Sequence, residues 1–183
     1  MSEISERYAR RAAAFTDKVA AVPDDGWSAP TPCEEWTARD IVRHVVDSQG
    51  MFLGFVGQEM GDLPSVDDDP LAAVQAATGR ILGDLEDSER AAATFDGFMG
   101  TSTFEAGVNQ FLAADLVIHG WDLARATGQD DAVAAQDLAE LQEAVKLFPE
   151  EAMRGPGAFG PEVEVGDDAS DQDKLLAFLG RRP

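Results

Sequence analysis

Cysteine is nearly absent from the sequence, since Cys33 is the only one among 183 residues. A single cysteine excludes an intramolecular disulfide, and alone it cannot build a thiolate cage for a metal ion. Any metal site therefore depends on histidine and carboxylate ligands. Cys33 stands between Pro32 and Glu34, where no neighbouring base or cation would activate the thiol, and this favours a structural role.

Positive charge is also scarce. The chain has 35 acidic residues against 14 basic ones, a formal net charge of −21 at pH 7. Such an excess repels phosphate backbones and anionic membrane surfaces, and no cluster of lysine and arginine offsets it. We therefore expect neither a nucleic acid nor a membrane among the partners, and a small-molecule ligand becomes the better expectation.

Long apolar runs are missing as well. Charged residues interrupt every apolar stretch well before the roughly 20 residues that a bilayer requires. The opening stretch, MSEISERYARRAAAF, has neither the apolar core nor the small-residue cleavage site of an export signal. These features predict a cytoplasmic protein.

The apolar residues that are present follow a helical period. Their spacing of three or four residues predicts helices over residues 4–22, 37–56, 70–85, 102–127, 134–150 and 170–180. A proline-rich stretch between the first two favours an ordered loop, and Asp96-Gly97 between aromatic residues indicates the turn of a small hairpin. The sequence predicts one all-α domain over residues 1–183, an antiparallel bundle of five or six helices with a small hairpin.

Residue types that cap helices refine these boundaries. Thr37 with Asp40 and Ser102 with Glu105 both have the spacing of a capping box. Gly128 is placed to end the long fourth helix in a left-handed conformation.

The stretch DLVIHGWDLARATG, residues 115–128, places a carboxylate and an imidazole in an apolar helix. Asp115 and His119 are four residues apart and therefore lie on one helix face. The other histidine, His44, lies among apolar residues of the second helix. Because buried acids are usually paired or coordinate metals, His44, Asp115 and His119 form a candidate three-ligand metal site with open positions for water or substrate.

Structural explanations stay open beside this one. A histidine on an apolar face is often a hydrogen-bonded core residue, and an Asp/His pair at this spacing is often a simple ion pair. Asp40, four residues before His44, fits the helix cap better than a ligand. Asp122 fits either of two roles, bracing an imidazole or pairing with Arg125 on the helix surface. Trp121 either lines a pocket or packs in the core.

Two motifs together resemble a known family. TPCEEWTARDIVRHV at residues 31–45 and DLVIHGWDLARATG at residues 115–128 resemble the DinB/YfiT-like metalloenzyme superfamily. They are more closely similar to the actinobacterial branch related to the metal-binding N-terminal domain of mycothiol-dependent maleylpyruvate isomerase. The resemblance implies a four-helix core in which His44, Asp115 and His119 bind a divalent metal. Those isomerases usually have glutamate where this chain has Asp115, so ligation through a water is an alternative to direct ligation.

The resemblance also implies a chemistry. We expect a metal-dependent transferase or isomerase that uses a low-molecular-weight thiol, mycothiol, on a small electrophilic substrate. Zinc is the expected metal, and nickel, iron or manganese also suit mixed nitrogen and oxygen ligands. The alternatives are a metal-assisted hydrolase with the same ligands, and a non-catalytic metal-binding or sensing protein. A homodimer formed through an exposed helix face is a further expectation.

Overall fold

The structure is a computed structural model that describes residues 2–97, 100–148, 153–154 and 159–183. Its elements in chain order are α1 (Glu3–Ala20), α2 (Ala38–Phe55), α3 (Pro70–Glu86), α4 (Ser88–Ala91), β1 (Thr94–Gly97), β2 (Gly100–Thr103), α5 (Phe104–Gly107), α6 (Ala113–Thr127), α7 (Ala135–Val145) and α8 (Asp171–Phe178). The chain divides into two compact units, Met1–Asp131 and Ala132–Pro183. A single domain over residues 1–183 stays a prediction.

The first unit is built around four long helices. Helix α1 packs against α3 and α6, and α2 packs against the same two helices, so α1 and α2 are diagonal to each other. The apolar residues that the sequence spaces at three or four positions form the buried face of each helix. The predicted all-α bundle with a small hairpin is confirmed.

One hydrogen bond between buried side chains crosses this core. The hydroxyl of Tyr8 on α1 donates a hydrogen bond of 2.7 Å to Oε1 of Gln49 on α2. Burial raises the pKa of Tyr8 well above its usual value of 10.0, so this hydroxyl remains a donor. The bond joins two diagonal helices and fixes the position of α2 one turn beyond His44.

Helix α2 begins at a complete capping box. The side chain of Thr37 accepts from the backbone N–H of Asp40, and the Asp40 carboxylate accepts from the N–H and the hydroxyl of Thr37 at 2.9 and 2.6 Å. These hydrogen bonds lower the pKa of Asp40 below its usual 3.8. The prediction that Asp40 caps the helix is confirmed, and the cap fixes the first turn of α2, which directly precedes the turn that carries His44.

The predicted long helix over residues 102–127 is interrupted. Its first turn is α5, a π-helical segment occupies Val108–Leu112, and α6 continues to Thr127 before Gly128, whose φ of 70° ends the helix as expected. The prediction that Ser102 caps the helix is wrong by one residue, because β2 continues to Thr103, which pairs with Thr94, and the helix begins at Phe104. Thr103 caps instead, accepting from the N–H of Ala106.

Strands β1 and β2 form the predicted antiparallel hairpin, but Asp96 and Gly97 are not its turn. Both lie in β1, where they pair with Thr101 and Gly100. The ring of Phe95 packs against two glycines, since a Cβ atom at Gly97 or at Gly107 would lie 2.9 Å from its carbon atoms. The ring of Phe95 therefore holds the hairpin against α5, and it leaves no room for a side chain at Gly97 or Gly107.

This packing makes Gly107→Ala a destabilising change. The added methyl group would also lie 3.1 Å from Phe52, so the buried rings of Phe52 and Phe95 would both have to move. We expect a loss of about 1–3 kcal/mol in the free energy of unfolding, measured by urea denaturation. The control is Gly79→Ala in α3, where a Cβ atom has no neighbour within 4 Å and helix propensity favours alanine by up to about 1 kcal/mol. Equal stability of the two variants would contradict the packing argument.

The second unit contains α7 and α8. Helix α8 is capped by Ser170, which accepts from the N–H of Asp173 as the sequence predicts. Helix α7 ends at Val145, earlier than the predicted residue 150, which lies outside the described residues. In the described part of the chain, the helices are too short or too polar to cross a membrane.

Candidate metal centre

Three of the predicted site residues come together where α2 packs against α6. Nε2 of His44 lies 3.2 Å from one carboxylate oxygen of Asp115, and Nε2 of His119 lies 3.8 Å from the other. The two imidazole rings are 4.8 Å apart between centroids. One ligand atom from each of the three residues lies within 4.8 Å of the others. The spacing of four residues between Asp115 and His119 therefore places both groups on the face that meets His44.

The site is buried on one side and open on the other. The side chain of His119 is 7% exposed, whereas those of Asp115 and His44 are 29% and 33% exposed. A cation held by these groups would be anchored from the interior and would still be accessible from solvent. This gradient is typical of sites with exchangeable ligands, since structural metal sites are closed by protein ligands on all sides.

Asp122 orients the buried imidazole. Its Oδ2 lies 2.9 Å from Nδ1 of His119, and its side chain is fully buried. An ionised Asp122 carboxylate can only accept, so in this pairing Nδ1 carries the proton and Nε2 is the nitrogen that faces Asp115 as a candidate ligand. Of the two roles that the sequence leaves open, the structure shows the brace, while Arg125 pairs with Asp131 at 3.1 Å.

Cys33 belongs to the same hydrogen-bond network, which sequence reasoning missed. Its Sγ donates to Oδ2 of Asp122 at 3.3 Å, so one buried carboxylate oxygen accepts from both the thiol and the His119 ring. The two residues are 89 positions apart, and nothing in the residues next to Cys33 predicts the contact. The thiol is thus linked through Asp122 to the candidate metal centre, and its structural role stays a prediction.

The loop that carries Cys33 is tightly ordered. Thr31 and Trp36 are joined by a backbone hydrogen bond, Pro30 and Thr37 form an isolated β-bridge, and Glu35 adopts a left-handed φ of 68°. A non-glycine residue in this conformation is held there by its surroundings. The loop leads directly into α2, so the capping box and the Cys33 contact fix both of its ends.

Trp36 covers the two histidines from the same loop. Its ring lies 4.8 Å from the His44 ring and 5.9 Å from the His119 ring, between centroids. An apolar ring on this side limits the rotamers of both imidazoles and excludes water from their faces. Trp121, in contrast, is 2% exposed and packs in the interior.

The donor set fits a divalent cation. Two imidazoles and one carboxylate suit zinc and the neighbouring transition metals, and the brace on His119 is the usual support of a metal-binding histidine. A second cluster of Cys33, His119 and Asp122 also brings three donor atoms within 4.8 Å of one another. Asp122 in that cluster is fully buried, whereas His44 and Asp115 are both partly exposed, so we favour the more accessible cluster of His44, Asp115 and His119. Ligation by these residues remains a prediction.

Comparison with known proteins identifies relatives of the chain. The family model described as the mycothiol maleylpyruvate isomerase N-terminal domain matches residues 8–124, which include all the residues of the site. Two proteins of Mycobacterium tuberculosis, from strains CDC 1551 / Oshkosh and ATCC 25618 / H37Rv and both named as uncharacterized, are each 31% identical over 169 residues. The alignments cover 92% of this chain and 92% of each relative. No solved structure matches the chain significantly.

Proposed function

The chain belongs to the family of the mycothiol maleylpyruvate isomerase N-terminal domain, in the DinB/YfiT-like superfamily, and from that premise we propose that it is a metal-dependent, thiol-using enzyme. The thiol is mycothiol or a similar low-molecular-weight thiol. The reaction is a transfer or isomerisation of a small electrophilic substrate. The metal is zinc or another first-row divalent cation.

The observation that supports the proposal best is the convergence of His44, Asp115 and His119 at a partly exposed position. A purely structural ion pair between Asp115 and a histidine would need only one imidazole. Here both histidines of the chain lie close to the same carboxylate, that of Asp115, and each comes from a different helix. This arrangement presents three donors toward a common centre and leaves one side open to solvent.

The proposed role of each residue follows from how deeply its side chain is buried. His119 is held in one tautomer by Asp122, so its Nε2 stays available as a ligand. His44 and Asp115 complete the set from the exposed side, where exchange with substrate is possible. When bound, the cation would lower the pKa of a coordinated thiol, so that a thiolate forms near neutral pH. The ring of Trp36 packs beside both imidazole rings and supports their positions.

The proposal predicts thiol conjugation that depends on the metal. A suitable probe is mycothiol with 1-chloro-2,4-dinitrobenzene, in which a carbon–sulfur bond forms and chloride and a proton are released. We expect zinc-loaded protein to accelerate the reaction about a hundredfold over metal-free protein, an effect of only about 3 kcal/mol on the barrier. His119→Asn, which retains a donor to Asp122, should reduce the rate to that of metal-free protein. The absorbance of the conjugate measures both.

The alternatives give different results in the same assay. A metal-assisted hydrolase would need zinc but show no dependence on the thiol, and a sensing protein would bind zinc without turnover. Because this probe is one electrophile among many, the assay is repeated with an epoxide and an activated alkene. Zinc-loaded protein that accelerates none of the three would overturn the proposal.

A further inference from the structure

A cluster of aromatic side chains lies beside the candidate metal centre and has no part in the proposed chemistry. The ring of Phe52 lies 5.3 Å from Phe55, 5.8 Å from Phe111 and 6.3 Å from Phe95, between centroids. Phe55 also stacks on Phe95 at 5.3 Å with an interplanar angle of 14°. We call these four residues, together with Met51, the aromatic platform.

The platform has a buried layer and an exposed layer. Phe52 and Phe95 are 5% and 9% exposed, and the backbone of Gly107 holds both rings in place. Above them, Met51, Phe55 and Phe111 are 53%, 46% and 37% exposed. The exposed rings therefore rest on fixed ones, and the surface that they present is formed before any ligand arrives.

Most of the platform lies on the same two segments as the candidate metal centre, which are α2 and the π-helical segment that leads into α6. On α2, His44 is followed one turn later by Ser48, whose hydroxyl lies 3.5 Å from Nε2 of His44, and one turn after that by Phe52. On the other side of the site, Phe111 lies in the segment that leads into α6 and precedes Asp115 by four residues. Residues at this spacing are neighbours on a helix surface, about 5–6 Å apart. The platform therefore begins about one turn from Asp115 at Phe111, and about two turns from His44 at Phe52.

The size and charge of the platform favour a small molecule as its occupant. Three half-exposed side chains of roughly 200 Å² each present about 300 Å². A stable interface with a second copy buries roughly 800 Å² on each partner, and two chains of charge −21 repel each other. Ligand sites commonly combine apolar and aromatic walls with a few polar groups at one end, which is the arrangement here.

We propose that the platform binds an aromatic group of the substrate while the reacting end of that substrate lies at His44, Asp115 and His119. The aromatic group is uncharged, because the acidic chain disfavours an anion. This inference rests on the proposed function, which supplies the metal centre, and adds the class of electrophile that the centre accepts. Phe55 and Phe111 are then the residues that determine specificity.

The test compares two metal-chelating probes that differ only in a phenyl ring, propanohydroxamate and 3-phenylpropanohydroxamate. Their dissociation constants for the full zinc-loaded chain are measured by calorimetry. We expect the phenyl ring to tighten binding about tenfold, which corresponds to burial of about 55 Å² of apolar surface. In the double variant Phe55→Ala/Phe111→Ala the gain should fall below about twofold, with the affinity for propanohydroxamate unchanged.

Leu147→Ala provides the matched control, because Leu147 is an exposed apolar side chain of the second unit and its removal should leave the tenfold gain intact. Equal affinities of the two probes for the wild-type chain would overturn the inference and leave the proposed function standing. A gain that persists in the double variant would also overturn it. If neither probe binds although zinc is present, the open metal centre itself is refuted, and this inference falls with it.

Discussion

Untagged wild-type protein purified without chelators is expected to carry about one transition-metal ion per chain, and the double variant His44→Ala/His119→Asn is expected to carry none. The two changes remove both imidazole Nε2 atoms that face Asp115. A lone carboxylate binds a divalent cation too weakly to survive purification. Elemental analysis of the two proteins measures the difference, and circular dichroism shows whether the helices persist.

The choice of asparagine at position 119 keeps the variant folded. Alanine there would leave the fully buried Asp122 carboxylate without its imidazole donor, at a cost of about 1–3 kcal/mol. The amide of asparagine occupies nearly the position of Nδ1 and continues to donate. His44 is one-third exposed, so its replacement by alanine removes little packing.

The composition of the chain makes the experiment decisive. His44 and His119 are the only histidines, so the double variant has no other imidazole that could take over the metal. Cys33 with Asp122 is the remaining combination of a thiol and a buried acid near the site. Metal retained at the wild-type level would refute ligation by the histidines and point to that pair instead. A Cys33→Ser change in the same background would distinguish the two.

Part of the candidate metal centre could be predicted from the sequence, because two of its three residues lie close together in one helix. Asp115 and His119 lie in one helix, so their spacing alone places them on one face, and His44 lies in a strongly amphipathic helix with a clear cap. The resemblance to a family was the strongest indication that these two helices pack together. Periodicity predicts which face of α2 is buried, but it does not predict the partner helix.

The supporting residues could not be anticipated in the same way. The two roles of Asp122 differ only in side-chain orientation, and the contact between Cys33 and Asp122 joins residues 89 positions apart through a loop with a left-handed Glu35. The π-helical segment Val108–Leu112 has no signal in the pattern of apolar residues. The cap lies at Thr103 and not at Ser102, because β2 extends to Thr103 and the helix begins only at Phe104.

Replacement of Asp122 by asparagine is expected to weaken metal binding by about 10- to 100-fold without unfolding the chain. The amide has the same shape as the carboxylate, so packing in this fully buried position is preserved. Its NH₂ group can donate to Nδ1 of His119, and the ring then carries its proton on Nε2, the atom that faces Asp115. Competition with a chromophoric chelator measures the affinity.

The control for this prediction is Asp47→Asn, which removes the same charge from an exposed position of α2. If long-range attraction between the acidic chain and the cation governed affinity, both variants would lose affinity equally, and the loss would shrink with added salt. If the tautomer of His119 governs it, only Asp122→Asn loses affinity, and salt has little effect because the pair is buried. An affinity of Asp122→Asn equal to that of the wild type would contradict the brace. It would leave Asp122 as a buried acid whose partners serve the stability of the fold and not the metal.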